Sequence, residues 1–387
     1  MRSRRFVWLL VLLVVLIVGA VVATPYARAA LLFTRVANLG GRLQAFADDR
    51  ARTVTVEPRH TVPTRQGPVE AQFYRPSGDV RRSILLVPGV HSMGITEPRL
   101  TGLARDLAGS GITVMAMALP DLTHYSITAR SADVIEDAAS WMAAQPALAP
   151  DGRVGMVGIS FAGGLSLVAA GRPSIRDKVA YVLSFGGHGN LQRTLRYLAT
   201  GVAPQVEGLT TRPPHDYGVA VILHAGADLL VPPGQVQPLR DGIGTFLLAS
   251  QLTLVDRTQA DATFAKAREM VKVLPEPSAT LLTYVNDRNT KALGPLLEPH
   301  IGLQADPAPS PELAPSPPAA PVFLLHGDDD IVIPAAESVL LAEYLRSKGV
   351  EVHLLLSSII THAEFDRSAA AVEAWKIVRF WSQVLAR

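Results

Sequence analysis

An apolar run enters a turn of very small residues at Val154-Gly155-Met156-Val157-Gly158-Ile159-Ser160-Phe161-Ala162-Gly163-Gly164. A segment of helix-forming residues, 165–170, follows directly. This order predicts a buried strand, a sharp turn at Ser160 and then a helix. Small residues are needed two positions before and two after the serine, because larger side chains would collide with the neighbouring strand and helix. The stretch therefore favours an α/β fold that holds a serine in a strained, exposed position.

A serine held in this way is a candidate nucleophile. The spacing here is G-x-S-x-A, since Ala162 stands where a second glycine is usual in such turns. The difference is a single methyl group, and Gly163 and Gly164 follow at once. On its own the stretch also fits a plain glycine-rich turn between a strand and a helix. A nucleophilic role for Ser160 would require a base and an acid from elsewhere in the chain.

The C-terminal part of the chain contains both residue types. A buried strand ends in a turn rich in carboxylates at Pro321-Val322-Phe323-Leu324-Leu325-His326-Gly327-Asp328-Asp329-Asp330-Ile331-Val332-Ile333-Pro334. A helical pattern over 335–348 and a short strand over 352–356 follow, and then comes Thr361-His362-Ala363-Glu364-Phe365. Residues 369–385 carry apolar side chains at helical spacing. A nucleophilic serine needs a base, and the base needs an acid to hold its tautomer.

The order serine, aspartate, histidine resembles that of the α/β-hydrolases. From about residue 53 to the C-terminus the chain is similar to the esterase and dienelactone-hydrolase type of that superfamily. Its motif H-G-x-x-D-x-x-V-P falls, with isoleucine in place of valine, on His326, Gly327, Asp330, Ile333 and Pro334. The resemblance implies Asp330 as the acid of a catalytic triad and His362 as its base. Asp328 and Asp329 remain rival acids.

The same resemblance implies an oxyanion loop after an early strand. Residues 83–87 are apolar and lead into Pro88-Gly89-Val90-His91, where many relatives have His-Gly in place of Pro-Gly. The implied oxyanion-hole donors are the backbone N–H groups of Val90 and Phe161. His91 lines the pocket or covers this loop. His188, in Gly186-Gly187-His188-Gly189, lines the pocket or belongs to a hinge.

The rest of the chain alternates strands and helices. A hairpin is predicted over 53–62 and 69–74, followed by a helix over 100–109, a strand over 113–118, a helix over 132–144 and a strand over 179–185. This alternation is typical of a mostly parallel central sheet with helices on both faces. Residues 188–320 are too many for a loop, so they predict a helical cap inserted over the site.

Inside the cap, helical spacing appears over 234–250, 261–273 and 279–286, and the proline-rich stretch 305–321 predicts a stiff return linker. Residues 221–232 imitate the acid-bearing strand and make Asp228 a further rival acid. No histidine-bearing strand follows them, so Asp228 is assigned to a turn or a helix cap.

Composition excludes several classes of function. The 387 residues include 36 Lys and Arg, 34 Asp and Glu and no cysteine, with a net charge of +2. Such a balance gives no basis for a nucleic-acid partner, and disulfides and cysteine metal sites are ruled out. No spacing typical of a metal site and no glycine-rich phosphate loop is present. The sequence therefore predicts no cofactor and no metal.

The N-terminus carries a membrane signal. Arg2, Arg4 and Arg5 precede the uncharged apolar run 6–23, which is long for a secretory signal and sufficient to span a bilayer. This length predicts an uncleaved anchor, and the basic flank predicts that the N-terminus stays in the cytoplasm and the hydrolase domain lies outside it. Cleavage near Ala27-Arg28-Ala29, giving a secreted protein, is the alternative.

Arginines at seven-residue spacing, Arg28, Arg35 and Arg42, predict an amphipathic helix in the segment that follows. It forms either a stalk on the membrane surface or a helix packed on the catalytic domain. The predicted organisation is therefore an anchor (1–25), a juxtamembrane amphipathic segment (26–52), a hydrolase core in two parts (53–187 and 321–387) and a cap (188–320).

The expected activity is hydrolysis of carboxylic esters through an acyl-enzyme on Ser160, with a small-molecule or lipid-like ester as substrate. The alternatives are a peptidase, thioesterase or acyltransferase that uses the same triad. A non-catalytic binding protein that keeps the fold is a further alternative from a different class.

Overall fold

An eight-stranded sheet organises the part of the chain that the structure describes. The structure is a computed structural model, and it describes residues 23–80, 82–253, 255–304, 306–361, 364–365 and 371–387. The strands are β1 (Val54–Val62), β2 (Val69–Pro76), β3 (Ser83–Val87), β4 (Thr113–Met117), β5 (Val154–Ile159), β6 (Val179–Phe185), β7 (Val322–Gly327) and β8 (Val352–Ser357). They lie in the order β1-β2-β4-β3-β5-β6-β7-β8. Only the pairs β1–β2 and β2–β4 are antiparallel; β3 to β8 run parallel.

Helices cover both faces of this sheet. They are α1 (23–36), α2 (Gly41–Asp49), α3 (Pro98–Gly109), α4 (Pro120–Thr123), α5 (Ala129–Ala143), α6 (Phe161–Ala170), α7 (Leu191–Thr200), α8 (Tyr217–Ala225), α9 (Ala227–Leu230), α10 (Pro233–Leu252), α11 (Arg257–Val271), α12 (Ser278–Asn286), α13 (Thr290–Gln304), α14 (Ala336–Ser347) and α15 (Ala371–Val384). One face packs against α5, α6 and α14, and the other against α1, α3 and α15.

The side chains of the central strands point alternately to the two faces of the sheet. In β3, Leu85 and Val87 belong to the α5–α6 core, whereas Ile84 and Leu86 belong to the α3–α15 core. Successive side chains of a strand point to opposite faces, and a strand buried on both faces is apolar throughout. The mostly parallel sheet with helices on both faces that the sequence predicts is confirmed.

The segment with arginines at seven-residue spacing packs on one face of the sheet. It forms two helices, α1 and α2, which are separated at Gly40, whose φ is 75°. Leu32 and Phe33 of α1 are buried in the same core as α3 and α15. Of the three arginines only Arg35 is buried. Between the two alternatives that the sequence left open, the structure shows a packed helix.

The predicted membrane anchor lies almost wholly outside the described residues, since residues 1–22 are not among them. In the described part of the chain no helix has the length and apolar character needed to cross a bilayer. The anchor and the alternative cleavage near Ala29 therefore stay predictions.

The insertion between β6 and β7 is a helical cap, formed by α7 to α13. Its helices share one apolar core, to which Leu198, Val221, Phe246, Leu282 and Leu297 contribute. The sequence predicts α10, α11 and α12 but not α7, α8 or α13. Helix α13 contains two prolines, which disfavour helix interiors. Residues 219–223 are continuously apolar, and such a run does not distinguish a strand from a buried helix.

Arg35 joins α1 to α3 through a buried ion pair. Its Nε lies 3.4 Å from Oδ1 of Asp106, and its Nη2 donates to the Asp106 carbonyl oxygen at 2.8 Å and to Ser110 Oγ at 2.7 Å. Burial raises the pKa of Asp106 to about 6, although the positive charge of Arg35 opposes that rise.

Arg35→Met is expected to destabilise the fold in a pH-dependent way. Because the folded-state pKa of Asp106 is raised, this carboxyl favours folding below about pH 4, and that contribution is lost as the pH rises through about 6. Without Arg35 the ionised carboxylate is left without its counter-charge, so the free energy of unfolding should fall by about 2 kcal/mol at about pH 8 and by about half as much at about pH 5. Urea unfolding at the two pH values measures this difference.

Arg42→Met is the matched control, because Arg42 is exposed on α2. It should change the free energy of unfolding by less than about 0.5 kcal/mol at either pH. An equal loss in the two variants, or a loss at Arg35 that is independent of pH, would contradict this account of the ion pair.

Candidate active site

Ser160 lies in the turn between β5 and α6 with an unusual backbone conformation. Its φ is 55° and its ψ is −134°, a region that costs a non-glycine residue on the order of 1–3 kcal/mol. Two hydrogen bonds hold it there: Ser160 N donates to Phe185 O at 2.7 Å, and Gly163 N donates to Ser160 O at 2.8 Å. Ser160 is therefore placed by β6 and α6 together at the carboxyl edge of the sheet.

The turn is possible because α6 passes directly over β5. A Cβ atom at Gly158 would lie 2.7 Å from Gly163 N and still closer to the carbonyl oxygen of Ala162. Ala162, which replaces the usual glycine, is fully buried, and its methyl group packs in the α5–α6 core. The fold thus accommodates the methyl group of Ala162, whereas a methyl group at position 158 would collide with the backbone of α6.

The loop after β3 lies against Ser160. A Cβ atom at Gly89 would lie 3.1 Å from Ser160 Cβ and 3.2 Å from Ile159 O, so glycine permits this close approach. Among the residues that the structure describes, the backbone N–H groups of Val90 and Phe161 have no acceptor. Both N–H groups, which the sequence predicts as oxyanion-hole donors, are thus free to bind an oxygen anion.

His91 follows this loop and is half-buried. Burial lowers the pKa of His91, with opposing effects from Glu97, which raises it, and Arg99, which lowers it further. Its Nδ1 accepts a hydrogen bond from Met93 N at 3.2 Å. The ring is therefore neutral at neutral pH and carries its proton on Nε2, and it stabilises the loop from within.

The three consecutive aspartates after β7 have different surroundings. Asp330 is 5% exposed, and its Oδ1 accepts hydrogen bonds from Val332 N at 2.7 Å and Ile333 N at 3.0 Å. Asp329 is partly exposed and lies 3.5 Å from Arg212. Asp328 is also partly exposed, and burial, with the charge of Asp329, raises its pKa. Of the three, only Asp330 is enclosed and held in one orientation.

His326 fixes the loop that carries Asp330. Its Nε2 donates to Ile333 O at 2.8 Å, its Nδ1 accepts from Ser338 Oγ at 2.6 Å, and the ring is fully buried. Because both ring nitrogens are engaged, His326 has a positioning role. Asp330 Oδ2 lies 3.4 Å from its Nε2.

His362, the predicted base, lies outside the described residues. The chain that leads to it does reach the same edge of the sheet. After β8 it forms the short strand β9 (Ile360–Thr361), which lies beside β7. Parallel strands place their carboxyl ends at one edge, so the chain ahead of His362 arrives near the loop of Asp330. The role of His362 stays a prediction.

The cap covers this edge of the sheet. Phe161, Val332, Ile333 and, in part, Val90 belong to the apolar core of the cap helices. Ser160 itself is 7% exposed. Apolar residues next to the serine and in the Asp330 loop thus pack into the core of the cap.

A polar junction that the sequence does not reveal ties the cap to the oxyanion loop. Gln251, near the end of α10, accepts a hydrogen bond from Ser92 Oγ at 2.7 Å and one from Tyr125 OH at 3.4 Å. Ser92 and Gln251 are 159 positions apart. No local sequence pattern signals a contact of this range.

His188 lies behind the turn of Ser160. It is fully buried, its Nε2 donates to Pro309 O at 3.0 Å, and burial lowers its pKa to about 4. Its ring contacts the ring of Phe161 at 5.5 Å. In this structure His188 supports the base of the cap and does not face open solvent, which matches the hinge interpretation more closely than pocket lining.

An ionic cluster closes the base of the cap beside His188. Arg193 Nε lies 2.6 Å from Glu337 Oε1, and Arg193 Nη2 lies 2.6 Å from Glu312 Oε1. Glu337 is fully buried and also accepts from Gly189 N and Asn190 N. This cluster joins α7, α14 and the return segment, so it fixes the cap to the core at its hinge.

Asp228, the rival acid inside the cap, is exposed on α9 and lies 3.0 Å from Arg240. The preceding residues form α8 rather than a strand. Among the described residues, no group of three or more His, Asp or Glu side chains is arranged to hold a metal ion.

Comparison with family profiles and with curated proteins gives no match. Solved structures with a similar fold include an esterase of Pyrobaculum calidifontis, which is 16% identical over 95% of this chain and 93% of its own, with a TM-score of 0.46. An esterase of Pyrococcus furiosus is 12% identical over 87% of this chain and 94% of its own, with a TM-score of 0.44. An acylaminoacyl peptidase of Pyrococcus horikoshii is 12% identical over 90% of this chain and 44% of its own, with a TM-score of 0.45. All three are too distant to indicate an activity for this chain.

Gly158→Ala is expected to destabilise the protein by about 2 kcal/mol or more, because the new methyl group meets backbone atoms of α6 that cannot move away without breaking the turn. Thermal or urea unfolding measures the loss.

Gly244→Ala in α10 is the matched control, since a Cβ atom there would meet nothing within 4 Å. This variant should gain up to about 1 kcal/mol from the higher helix propensity of alanine. If the two alanine variants proved equally stable, the close approach of α6 to β5 would be refuted.

Proposed function

We propose that this protein is a serine hydrolase that cleaves carboxylic esters through an acyl-enzyme. The observation that carries the proposal is the backbone of Ser160, held at φ 55° in a strand-to-helix turn beside the N–H groups of Val90 and Phe161, which have no acceptor among the residues that the structure describes. Strained conformations of this kind persist where the surrounding structure enforces them and are concentrated at functional sites. Asp330, buried and oriented at the same edge of the sheet, supplies the acid.

In the proposed mechanism Ser160 Oγ attacks the acyl carbon while His362 takes its proton. Asp330 holds His362 in the required tautomer and stabilises its charged form. The oxyanion of the tetrahedral intermediate accepts hydrogen bonds from the N–H groups of Val90 and Phe161. Collapse expels the alcohol, which takes the proton from His362. Water then attacks the acyl-enzyme by the same route and releases the carboxylic acid.

The apolar residues beside Ser160 and in the cap favour a substrate that carries an apolar group. Phe161 follows the nucleophile directly and belongs to the same apolar core as Val332, Ile333 and the cap helices. An acyl or alcohol group bound against this wall would gain roughly 0.8 kcal/mol per buried CH₂ group. We therefore propose esters with an aliphatic or aromatic part, rather than highly charged ones, as substrates.

A fluorophosphonate probe is expected to label the wild-type protein at Ser160 and to leave Ser160→Ala unlabelled, because the probe reacts with activated serines. Mass spectrometry of the labelled peptide locates the modification. Ser166→Ala is a matched control, since Ser166 is buried on α6 away from the turn; it should be labelled as the wild type is.

Absence of label on a folded wild-type protein would contradict an activated nucleophile and favour a binding role. With label confirmed, chromogenic esters of increasing chain length, compared with peptide and thioester substrates, identify the bond that is cleaved. Faster turnover of peptides than of esters would overturn the ester assignment while leaving the serine mechanism intact.

Asp330→Asn is expected to lower kcat by about 10³–10⁴-fold, because an amide in place of the acid no longer stabilises the correct tautomer and the charged form of the base. Asp329→Asn is the matched control: this carboxylate is partly exposed and pairs with Arg212, so kcat should stay within about threefold, as surface changes usually do little. Steady-state kinetics on one ester measures both. A larger loss in Asp329→Asn than in Asp330→Asn would reassign the acid.

A further inference from the structure

A cavity lies at the opposite end of the sheet from Ser160. Its volume is about 720 Å³, and its lining includes Ser83, Gly155 and Tyr181, close to the starts of β3, β5 and β6. Ser160 follows the other end of β5, whose six residues span roughly 17–20 Å at about 3.3 Å per residue. The cavity is therefore separate from the candidate active site.

Arginines surround this cavity and its smaller neighbour. Arg82 and Arg153 line the larger one. Arg28 and Arg52 line the smaller, which has a volume of about 250 Å³ and shares Arg82 with the larger. Arg387 also lines the larger cavity, but its guanidinium pairs with Glu351. The four other guanidinium groups come from α1, the start of β1 and the loops ahead of β3 and β5.

Backbone carbonyl oxygens hold three of these guanidinium groups. Arg82 donates to the carbonyl oxygens of Leu385 and Ala386, and Arg153 Nη2 donates to Val179 O at 2.9 Å. Arg52 Nη1 donates to Ser77 O at 3.1 Å and to Asp79 O at 2.9 Å. In the part of the chain that the structure describes, none of the three forms an ion pair. Carbonyl dipoles orient a guanidinium but leave its charge in place.

The acidic side chains at the cavity offset part of this charge. Asp79 and Asp151 are exposed at the rim. Asp151 Oδ1 accepts from the backbone N–H of Arg153 at 3.1 Å and not from its guanidinium. Across the two cavities together, four guanidinium groups face these two carboxylates, so positive charge is in excess and an anion would relieve it.

The floor of the cavity is apolar. Val80, Ile84, Ile112, Val384 and Leu385 line it. The buried ring of Tyr181 lies over Gly155, where a Cβ atom would be 2.7 Å from the Tyr181 hydroxyl oxygen. Burial raises the pKa of Tyr181, although Arg82 opposes this, so its hydroxyl keeps its proton and can donate. The cavity thus combines arginines at its rim, the neutral hydroxyl group of Tyr181 as a hydrogen-bond donor and an apolar floor.

We propose that this cavity binds a phosphate group carried on an apolar body, such as the phosphate of an acidic lipid. Guanidinium groups match phosphate oxygens in geometry and charge, and bind them through pairs of hydrogen bonds. The apolar floor accepts the hydrocarbon next to the phosphate. Arg28 lies five residues beyond residue 23, about 8 Å along α1, so the site is close to the point where the predicted membrane segment ends.

The test uses the full chain in a non-ionic detergent and three probes: hexyl phosphate, inorganic phosphate and hexanol. Isothermal titration calorimetry should show binding of hexyl phosphate. Inorganic phosphate should bind at least about tenfold more weakly because it buries no CH₂ groups, and hexanol should bind more weakly still. Arg82→Gln and Arg153→Gln should each weaken hexyl phosphate binding by about tenfold, the effect of losing one charged hydrogen-bond donor.

Arg268→Gln is the matched control, because Arg268 is exposed on α11 of the cap and its loss changes the net charge equally. Its affinity for hexyl phosphate should equal that of the wild type. If inorganic phosphate binds as tightly as hexyl phosphate, the site takes free phosphate and the lipid-like ligand is ruled out. No binding by the wild type, or an equal loss in Arg268→Gln, overturns the site. Arg153→Gln keeps the test valid if Arg82→Gln fails to fold.

Discussion

The close approach of α6 to β5 is the constraint on which the candidate site depends. Because no side chain fits at Gly158, the helix can begin one residue after the serine, and Ser160 is forced to a positive φ. The strain is compensated by packing: Phe185 O, on the next strand, accepts from Ser160 N, and Ala162 is fully buried beneath. The position of Ser160 is thus a consequence of how a helix packs on a sheet.

The parallel direction of the central strands brings the other parts of the candidate site together. The loops after β3, β5 and β7 emerge at one edge, where Gly89 touches Ser160 and the Asp330 loop is fixed by His326. The cap then joins two of these loops, since Gln251 binds Ser92 in the oxyanion loop and His215 N donates to Ile331 O in the acid loop at 2.7 Å. A movement of the cap would therefore displace both loops through these two hydrogen bonds, and so change the geometry of the site.

The two ends of the sheet differ in chemistry. At the carboxyl end, Asp330 is buried next to Val332 and Ile333, which belong to the apolar core of the cap. At the amino end, guanidinium groups surround an open cavity near α1. Because β5 separates the two ends, a ligand at the arginine-lined cavity would not contact Ser160.

The sequence by itself determined the features that depend on neighbouring residues. It predicted the turn at Ser160, the bounds of β6 and the order of strands and helices around it, because strand and helix periodicity and small-residue turns are local properties. Tertiary structure alone decided the remainder. Burial and two backbone N–H groups single out Asp330 among three adjacent aspartates. The packing of α1 buries Arg35 against Asp106 of α3 and leaves Arg28 exposed. The Gln251 junction and the arginine-lined cavity join residues far apart in the chain, and no local pattern records a contact that only folding creates.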